Sequence, residues 1–593
     1  MQEEEVLGKA YDSRLMRRLI TYLRPYRKYV VIAFALLLVD SAIETAFPLL
    51  TKLAIDNYIG GANLAGVAGV ALGYFAFLVM KFAAESAQTY VLSNTGQKIM
   101  VDMRMEVFQH LHTLSPSFFD KNPVGRLITR VTTDVDVLNE LFSAGIVSIF
   151  GDIFTLLGIL VAMLLLDWQL GLVTLAVLPL IGLATAIFRR KARDSYRRVR
   201  IAIARINGHL QEHLTGMSVV QLYNREARSL RSFDDINREH LDANKDSIMA
   251  YAWFYPVVEI LSSTAIALII WYGGGGVMRG TVTLGALVAF IQYSQRFFRP
   301  IADMSEKYNI LQSAMASSER LFRLLDTQPA IVTPASPVRL PGKVQGAIEF
   351  RDVSFAYNDN DWVLREVSFH VQAGESVAIV GHTGAGKTTI TSLLTRFYDI
   401  QEGSILLDGI DIAKLDLADL RSAFAVVLQD VFLFSGTMES NIKLGSAISR
   451  ERVLTAATDV NLMPFLNSLP QGLDHPVNER GSTLSAGQRQ LLAFARALAH
   501  DPRILILDEA TSSVDTETEI QIRRAIDRLM EGRTSIIIAH RLSTIQKCNK
   551  ILVMHKGRVR EAGTHQELLA RRGLYFKLYQ LQYQDQEIGI PGD

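Results

Sequence analysis

The chain has 593 residues, of which 49% are hydrophobic and 20% are charged, with a formal net charge of +1 and one cysteine. It is too long for a single domain and too apolar for an ordinary soluble enzyme. The single cysteine, Cys548, excludes an internal disulfide framework and, since no Cys/His cluster surrounds it, a structural zinc site. The near-zero net charge argues against a dedicated nucleic-acid binder, which needs a basic surface.

Residues 1–28 are predicted to form a cytoplasmic segment. An acidic stretch at 1–6 precedes a basic stretch with interleaved apolar residues at 14–28. A charged region of this length, with no small-residue cleavage site after it, does not match a cleavable signal peptide. We expect an amphipathic helix lying on the membrane surface and broken at Pro25, with a solvated basic helix as the alternative.

Residues 29–325 contain six apolar stretches that approach or exceed the roughly 20 residues needed to span a bilayer. They are approximately 29–55, 66–92, 146–166, 170–188, 252–272 and 284–310. Short connections alternate with long polar ones at 93–145 and 189–251. Basic residues cluster near the N-terminus and at the start of the second long connection, so the positive-inside rule places both termini in the cytoplasm. Each long connection is predicted to contain two helical extensions joined by a turn, near 115–122 and 215–224.

Ionisable residues lie inside the first two predicted spans, where Asp40 is four residues before Glu44 and Lys81 four residues before Glu85. Each pair therefore shares a helix face. A lone charge at the bilayer centre costs about 2.5–3.5 kcal/mol, so these groups should face the helix bundle or a wet cavity. The antiparallel spans place Glu44 and Lys81 at similar depth, which favours a structural ion pair over a role in substrate binding or proton coupling.

The sequence changes character after the last span. Residues 326–345 are rich in proline and low in hydrophobicity, which is typical of a linker. Residues 346–585 alternate β-branched runs with helical patterns, which predicts an α/β domain with a largely parallel core sheet, and 586–593 form a tail. The predicted strands are 347–350, 376–380, 404–407, 504–507, 535–539 and 551–555.

A glycine-rich motif follows the predicted strand at 376–380. Residues 381–388 read GHTGAGKT and match G-x-x-x-x-G-K-[ST] between a strand and an apolar-periodic helix. In such a loop, backbone N–H groups and the helix N-terminus bind phosphates, Lys387 supplies charge to the β and γ phosphates, and Thr388 supplies a hydroxyl to Mg²⁺. The predicted phosphate-binding residues are Gly381, His382, Thr383, Gly384, Ala385, Gly386, Lys387, Thr388 and Thr389.

Two carboxylates follow the predicted strand at 504–507. Asp508 and Glu509 would lie at the carboxyl edge of the sheet, where ligands of doubly wound folds bind. We predict that Asp508 holds Mg²⁺ through a water molecule and that Glu509 polarises the attacking water. An acidic pair after a strand is often only a helix N-cap, but the upstream Lys387 favours the nucleotide site. The fold class is therefore an all-α six-helix transmembrane domain with long cytoplasmic helical extensions, fused to an α/β P-loop nucleotide-binding domain.

The segment Leu484-Ser485-Ala486-Gly487-Gln488 opens an apolar helix and strongly resembles the signature sequence of ATP-binding cassette (ABC) proteins. The spans, the long arms and the C-terminal cassette extend this resemblance over nearly the whole chain, as in exporter-type half-transporters. The resemblance implies ATP and Mg²⁺ as cofactors. It also implies that the signature residues Ser485, Gly487 and Gln488 complete a site in a second cassette.

Further residues match the family by position. Tyr357 resembles the aromatic residue that stacks on adenine, and Gln429 resembles the glutamine that contacts Mg²⁺ and the attacking water. Asp515 resembles the aspartate that crosses the dimer interface, and His540 the switch histidine that reaches the γ-phosphate. Each of these four residues also has a purely structural alternative. In the same order, these are an exposed tyrosine, a surface glutamine, a helix cap and a core histidine. Residues 479–481 match, more weakly, the exporter segment that communicates with the membrane arms.

The resemblance implies an ATP-driven exporter of amphiphilic, multidrug-type compounds in a bacterial inner membrane, as one half of a dimer. A lipid flippase on the same fold is the alternative. An ATP-gated channel or regulatory subunit is less favoured, because such relatives commonly carry long regulatory inserts and this sequence shows none. The family signature usually has glycine where this sequence has Ala486. In heterodimeric exporters of this family, one half typically combines the catalytic glutamate with an altered signature, and its partner the reverse. Because this sequence combines Glu509 with Ala486, the resemblance favours a heterodimer over a homodimer. No nucleic-acid partner is expected.

Overall fold

The computed structural model describes residues 12–340, 342, 344–358, 361–508, 516–538 and 542–582. The chain divides into two compact units. The first runs up to His112 and resumes at Val124–Thr327, and the second comprises Thr113–Pro123 together with the chain from Gln328 onward. The second unit is therefore built from two separate parts of the sequence.

The first part of the chain is helical throughout. Its helices are α1 (Ser13–Thr21), α2 (Arg27–Leu53), α3 (Leu64–Thr113), α4 (Pro116–Lys121), α5 (Val124–Thr129), α6 (Val135–Glu140), α7 (Ile146–Leu166), α8 (Trp168–Leu175), α9 (Leu178–Thr215), α10 (Met217–Leu222), α11 (Glu226–Met278) and α12 (Leu284–Leu325).

Five helical stretches in the described part of the chain are long and apolar enough to cross a membrane: Arg24–Ile59, Leu64–Thr113, Val124–Leu166, Trp168–Thr215 and Glu226–Met278. They contain the first five predicted spans. The sixth predicted span lies in α12 and is helical, but the polar residues Gln292, Gln295 and Arg296 interrupt its apolar stretch. These polar groups lower its hydropathy, and Arg296 among them pairs with Glu44 of α2.

The N-terminal helix confirms the predicted break at Pro25. Asp12 caps α1, since its carboxylate accepts a hydrogen bond of 2.7 Å from the Arg14 backbone N–H. A 3₁₀ turn at Arg24–Tyr26 contains the proline and separates α1 from α2. Leu19 on the apolar face of α1 is fully buried, as expected for an amphipathic helix.

Both long connections contain the predicted helical extensions and turns. α4 forms the first turn and α10 the second. α4 belongs to the second unit, called the C-terminal unit below. α10 belongs to the first unit, called the membrane unit below. At the end of α10, Leu222 and Tyr223 are 78% and 72% exposed. The second turn thus presents apolar side chains on its surface.

Asp134, at the end of the π-helical segment Arg130–Asp134 between α5 and α6, is a buried carboxylate with several partners. Its side chain is only 8% exposed and accepts hydrogen bonds from Arg130 Nη1 at 2.8 Å and from Ser317 Oγ at 3.0 Å. Arg320 binds both of its oxygens, with Nε at 3.2 Å. Ser317 and Arg320 belong to α12, the last helix of the membrane unit. This network therefore joins α12 to the first arm, the long connection at 93–145.

Replacing Asp134 with alanine is expected to lower the free energy of unfolding of the membrane unit by about 3–5 kcal/mol, because it leaves buried charge uncompensated. Asp136→Ala is the matched control. Asp136 also pairs with an arginine, Arg104, but its side chain is 55% exposed, so we expect a loss of at most about 1 kcal/mol. Thermal unfolding of both variants in lipid nanodiscs gives the comparison, and equal stability of the two would contradict it.

The C-terminal unit is built on β-sheets. Its strands are β1 (Ile348–Ala356), β2 (Trp362–Val371), β3 (Ser376–Val380), β4 (Glu402–Leu407), β5 (Ile410–Asp411), β6 (Phe424–Val427), β7 (Gly436–Thr437), β8 (Pro476–Val477), β9 (Ile504–Asp508), β10 (Thr534–Ile538), β11 (Lys550–His555) and β12 (Arg558–Gly563).

The core sheet has the order β12-β11-β3-β10-β9-β6, in which all neighbours are parallel except the β12–β11 pair. This confirms the predicted, largely parallel sheet. β3 and β10 are buried along their whole length, which explains why all their residues except one serine in each are apolar or β-branched. A second, antiparallel sheet has the order β2-β1-β4-β5, and β7 pairs with β8.

Helices fill the rest of this unit. They are α13 (Lys387–Leu394), α14 (Leu417–Ser422), α15 (Met438–Lys443), α16 (Arg450–Asp459), α17 (Met463–Ser468), α18 (Ala486–Ala499), α19 (Thr516–Met530), α20 (Leu542–Ile545), α21 (His565–Ala570) and α22 (Leu574–Gln582). One apolar core lies between the parallel sheet and α16, α18 and α19. The other lies between the two sheets and α13. The sheet edge that carries the glycine-rich loop is thereby held from both sides.

Candidate functional site: a nucleotide-binding sheet edge

The glycine-rich loop connects β3 to α13, as predicted. Gly386 caps α13 in the left-handed region, at φ +97°. A Cβ at this position would lie 2.6 Å from Leu364 Cδ2 and 3.2 Å from the carbonyl oxygen of Val363. A Cβ at Gly381 would lie 2.4 Å from the carbonyl oxygen of Met554. Only glycine therefore allows the loop to lie this close to its neighbours.

Lys387 is the first residue of α13 and is 7% exposed. Its Nζ donates hydrogen bonds to the backbone carbonyls of Gly381, at 2.7 Å, and His382, at 3.1 Å. Burial lowers the pKa of Lys387, and the nearby Asp508 carboxylate acts in the opposite direction. The ammonium group is thus held inside the loop, where a phosphate would bind.

The three predicted Mg²⁺ ligands come from elements that meet at one sheet edge. Asp508 ends β9, Gln429 follows the neighbouring parallel strand β6 by two residues, and Thr388 lies in the first turn of α13. Thr388 and Gln429 are exposed. Within the described ranges, no three His, Cys, Asp or Glu side chains converge on a metal site. A hydroxyl, a carboxamide and a carboxylate do offer the oxygen ligands that Mg²⁺ prefers when phosphate oxygens complete its shell.

Tyr357 lies just beyond β1 and is 39% exposed. Its hydroxyl is 3.2 Å from the hydroxyl of Thr389 on α13. The ring of Tyr398 meets the ring of Tyr357 edge to face, with centroids 5.0 Å apart. The hydroxyl of Tyr398 donates a hydrogen bond to Asp120 on α4, and burial together with this contact raises the pKa of Tyr398 well above its usual range. Tyr357 thus lies beside the start of α13, and its side chain is partly exposed.

Sequence reasoning missed Tyr398 and Asp120. Tyr398 falls in the segment after α13, which the sequence predicts only as part of a helix, and Asp120 lies in the turn of the first arm, 278 residues earlier. An aromatic residue shortly after the phosphate-binding helix is a weak signal by itself. The pairing depends on the packing of α4 within the C-terminal unit.

The signature segment begins α18. Ser485 is its N-cap and forms a capping box with Gln488: the serine hydroxyl accepts from the Gln488 N–H at 3.2 Å, and the Gln488 side chain accepts from the Ser485 N–H at 2.9 Å. Ala486 is exposed and Gly487 is buried. The methyl group that distinguishes this signature therefore lies on the surface of the unit.

Three predicted residues, Glu509, Asp515 and His540, lie outside the described residues. β9 ends one residue before Glu509, and β10 ends two residues before His540. The segment Glu479–Gly481 forms a short 3₁₀ turn, in which Arg480 has φ +55° and Gly481 has φ +62°.

Gly386→Ala is expected to lower both the melting temperature and ATP binding, because the new Cβ meets both Leu364 and a backbone carbonyl. Gly409→Ala is the matched control. Gly409 has a similar φ, +81°, but a Cβ added there would have no atom within 4 Å, so only the backbone penalty of about 1 kcal/mol remains. Nucleotide binding by fluorescence should separate the two variants, and equal binding would contradict the packing argument.

Comparison with known families supports the two-unit organisation. Residues 30–301 match the ABC transporter transmembrane region, and residues 364–512 match the ABC transporter family. A solved structure of a bacterial Atm1-family ABC exporter with ATP bound has a TM-score of 0.78 and 30% identity to this chain. The match covers 94% of this chain and 98% of that one.

The similarity to two relatives covers most of the length of each relative. A Bacillus subtilis protein named as a probable multidrug resistance ABC transporter is 39% identical, over 86% of this chain and 76% of the relative. An ATP-dependent lipid A-core flippase of Syntrophus aciditrophicus is 36% identical, over 97% of this chain and 96% of the relative. The chain therefore belongs to the ABC transporters, as an exporter-type member in which a membrane domain of long apolar helices is fused to an ATP-hydrolysing cassette.

Proposed function

We propose that the chain exports amphiphilic compounds of the multidrug type across the bacterial inner membrane, as one half of a dimeric ABC exporter. One observation carries this proposal. Charged side chains of α2, α3 and α12 meet within the predicted membrane spans: Glu44 pairs with both Lys81 and Arg296. A polar cluster in an apolar wall complements a compound that has both a polar group and an apolar body.

In the proposed cycle, the residues of the glycine-rich loop bind ATP. Lys387 neutralises charge on the β and γ phosphates, and Tyr357 stacks on the adenine. Thr388, Gln429 and Asp508 would hold Mg²⁺, which would neutralise phosphate charge. Glu509 orients and polarises the attacking water, with His540 beside the γ-phosphate. These roles follow the positions of the residues around one sheet edge or in the family motifs.

The second cassette supplies the rest of the site. The amides at the N-terminus of α18, with Ser485, Gly487 and Gln488, would face the γ-phosphate held by the partner, and Asp515 would cross the interface. Two ATP-bound cassettes then close, and the arms pass this closure to the membrane helices as alternating access. The exposed apolar side chains Leu222 and Tyr223 on the second arm are suited to contact with a partner.

We propose a heterodimer rather than a homodimer. Ala486 places an exposed methyl group at the tip of the signature, which would weaken phosphate approach in the site that it completes, while the Glu509 of this chain serves its own site. A partner with an unmodified signature would complete that site. A homodimer remains the alternative, because alanine is small.

The experiment is ATP hydrolysis by the purified chain in lipid nanodiscs, with the assembly state measured by mass photometry. An active homodimer stimulated by amphiphilic drugs supports export and removes the heterodimer. A folded but inactive or monomeric protein supports the need for a partner.

The relative named as a lipid A-core flippase makes lipid transport the second candidate. Stimulation by one lipid, and by no drug, would replace the first proposal with the second.

A further inference from the structure

Two histidines lie one helical turn apart near the C-terminal end of α9, in the second arm, the long connection at 189–251. His209 and His213 are four residues apart, so their side chains share one face of the helix. Their imidazole rings stack, with centroids 3.8 Å apart and planes inclined by 23°. Both residues are partly exposed, so an ion in solution can reach the pair.

A hydrogen bond sets the tautomer of His213. Its Nδ1 lies 3.0 Å from the backbone carbonyl oxygen of His209. Because a carbonyl oxygen can only accept, Nδ1 carries the proton, and Nε2 of the neutral ring keeps its lone pair. Histidines that bind metals in proteins commonly donate their other ring N–H to a carbonyl in the same way. His213 therefore already has the tautomer that a metal ligand needs.

The ring of His209 has two aromatic neighbours. One is the His213 ring, and the other is Phe233 of α11, whose ring centroid is 5.9 Å away. These contacts restrict the rotation of the His209 side chain, so less conformational entropy is lost when it binds an ion. Metal–imidazole bonds are about 2.0–2.1 Å long, so one ion can join nitrogen atoms up to about 4 Å apart. The two rings are close enough for one ion to bind both.

The end of the helix also favours a cation. α9 ends at Thr215, and His213 lies in its last turn, where the helix dipole carries partial negative charge. In the part of the chain that the structure describes, no three His, Cys, Asp or Glu side chains converge on a metal site. The pair would therefore supply two ligands and water the others. Closed structural zinc sites have four protein ligands, so this site would be open and exchangeable.

We propose that His209 and His213 form a two-histidine site for a divalent transition-metal ion on the second arm. Imidazole suits copper, nickel and zinc, and the Irving–Williams order makes Cu²⁺ the ion that should bind most tightly. A bound ion joins two successive turns of α9 and stabilises the end of the arm next to α10. This inference goes beyond the proposed export function and does not depend on it.

The test measures Cu²⁺ binding to the chain in lipid nanodiscs without ATP, by isothermal titration calorimetry. The protein is purified without a polyhistidine tag, and empty nanodiscs give the blank. His209→Ala and His213→Ala should each weaken Cu²⁺ binding at least about tenfold, because loss of a mere outer partner of a metal ligand already costs about 10- to 100-fold. The electron paramagnetic resonance spectrum of bound Cu²⁺ should show two imidazole nitrogens in the wild type and fewer in either variant.

Two controls isolate the pair. His240→Ala removes a histidine of α11 in the same arm, whose Nε2 lies 2.9 Å from Asn244 Nδ2, and it should leave the affinity unchanged. His213→Ala combined with Gln211→His keeps the total at 12 histidines but places the second ring two residues from the first, where it does not share a helix face. This double variant should bind Cu²⁺ as weakly as His213→Ala.

Equal Cu²⁺ affinity of the wild type and both single variants would overturn the proposal. Full recovery of binding in the double variant would overturn it too, since the spacing would then not matter. A melting temperature of the wild type that rises with Cu²⁺, falls back with EDTA and does not rise in His213→Ala would support it. If the rings only stabilise the arm, both single variants melt lower and Cu²⁺ has no effect on the wild type, which contradicts the proposal. Failure of the export function would change none of these results.

Discussion

Glu509→Gln should reduce steady-state ATP hydrolysis by about 10²–10⁴-fold, the range that a positioned general base contributes. The substitution removes the carboxylate that we propose polarises the attacking water, and it leaves Lys387, Thr388 and Asp508 in place. ATP binding should therefore persist, and the two cassettes should remain closed around it. Phosphate release measures the first effect, and retention of labelled ATP in the assembled dimer measures the second.

Glu451→Gln is the control for this variant, because Glu451 is an exposed carboxylate on α16 of the same cassette. It should hydrolyse ATP like the wild type. Turnover at the wild-type rate in Glu509→Gln would show that another group activates the water. Loss of ATP binding in that variant would show that Glu509 also holds the nucleotide or the fold.

Lys387→Ala should raise the Kd for ATP by about 10- to 150-fold. Hydrogen bonds to a charged group contribute about 1.5–3 kcal/mol, and each 1.4 kcal/mol is tenfold in affinity. Because burial lowers the pKa of Lys387, folding does not favour its charged form, and the melting temperature without ATP should stay close to that of the wild type. The measurements are fluorescent nucleotide binding and thermal unfolding.

Lys414→Ala provides the comparison, since Lys414 is an exposed lysine of the same cassette. It should change neither quantity. An unchanged Kd in Lys387→Ala would contradict the phosphate-binding role. A large fall in melting temperature without ATP would mean that the bonds from Nζ to the Gly381 and His382 carbonyls mainly stabilise the fold.

The parts of the fold that could be predicted are those with a strong local pattern. The bounds of β3 are predicted to the residue. The predicted bounds of β9, β10 and β11 lie within one residue of the observed bounds at each end that the structure describes, since mostly buried parallel strands are largely apolar runs. β2 was not predicted, because its alternating charged and apolar residues belong to a partly exposed antiparallel strand. β6 and β12 were missed as well, being short or largely polar.

The nucleotide site shows the same division. The glycine-rich loop and Asp508 are neighbours of predicted strands, so their placement follows from the order of the motif and the parallel sheet. The contact of Tyr398 with Tyr357 and Asp120 depends on tertiary packing. Arg296 was not assigned to the Glu44 pair for the same reason: the two residues are 252 positions apart, and no local pattern sets the register between α2 and α12.

The cassette is not one continuous stretch of the chain. The first arm's turn, Thr113–Pro123, is part of the same compact unit, and Asp120 within it accepts the hydrogen bond of Tyr398 beside the predicted adenine-binding tyrosine. A soluble fragment cut at the linker would lose this turn and leave the Tyr398 hydroxyl without its acceptor. Nucleotide affinities measured on such a fragment would therefore describe an incomplete domain, and a peptide of residues 113–123 added in trans is the natural complement.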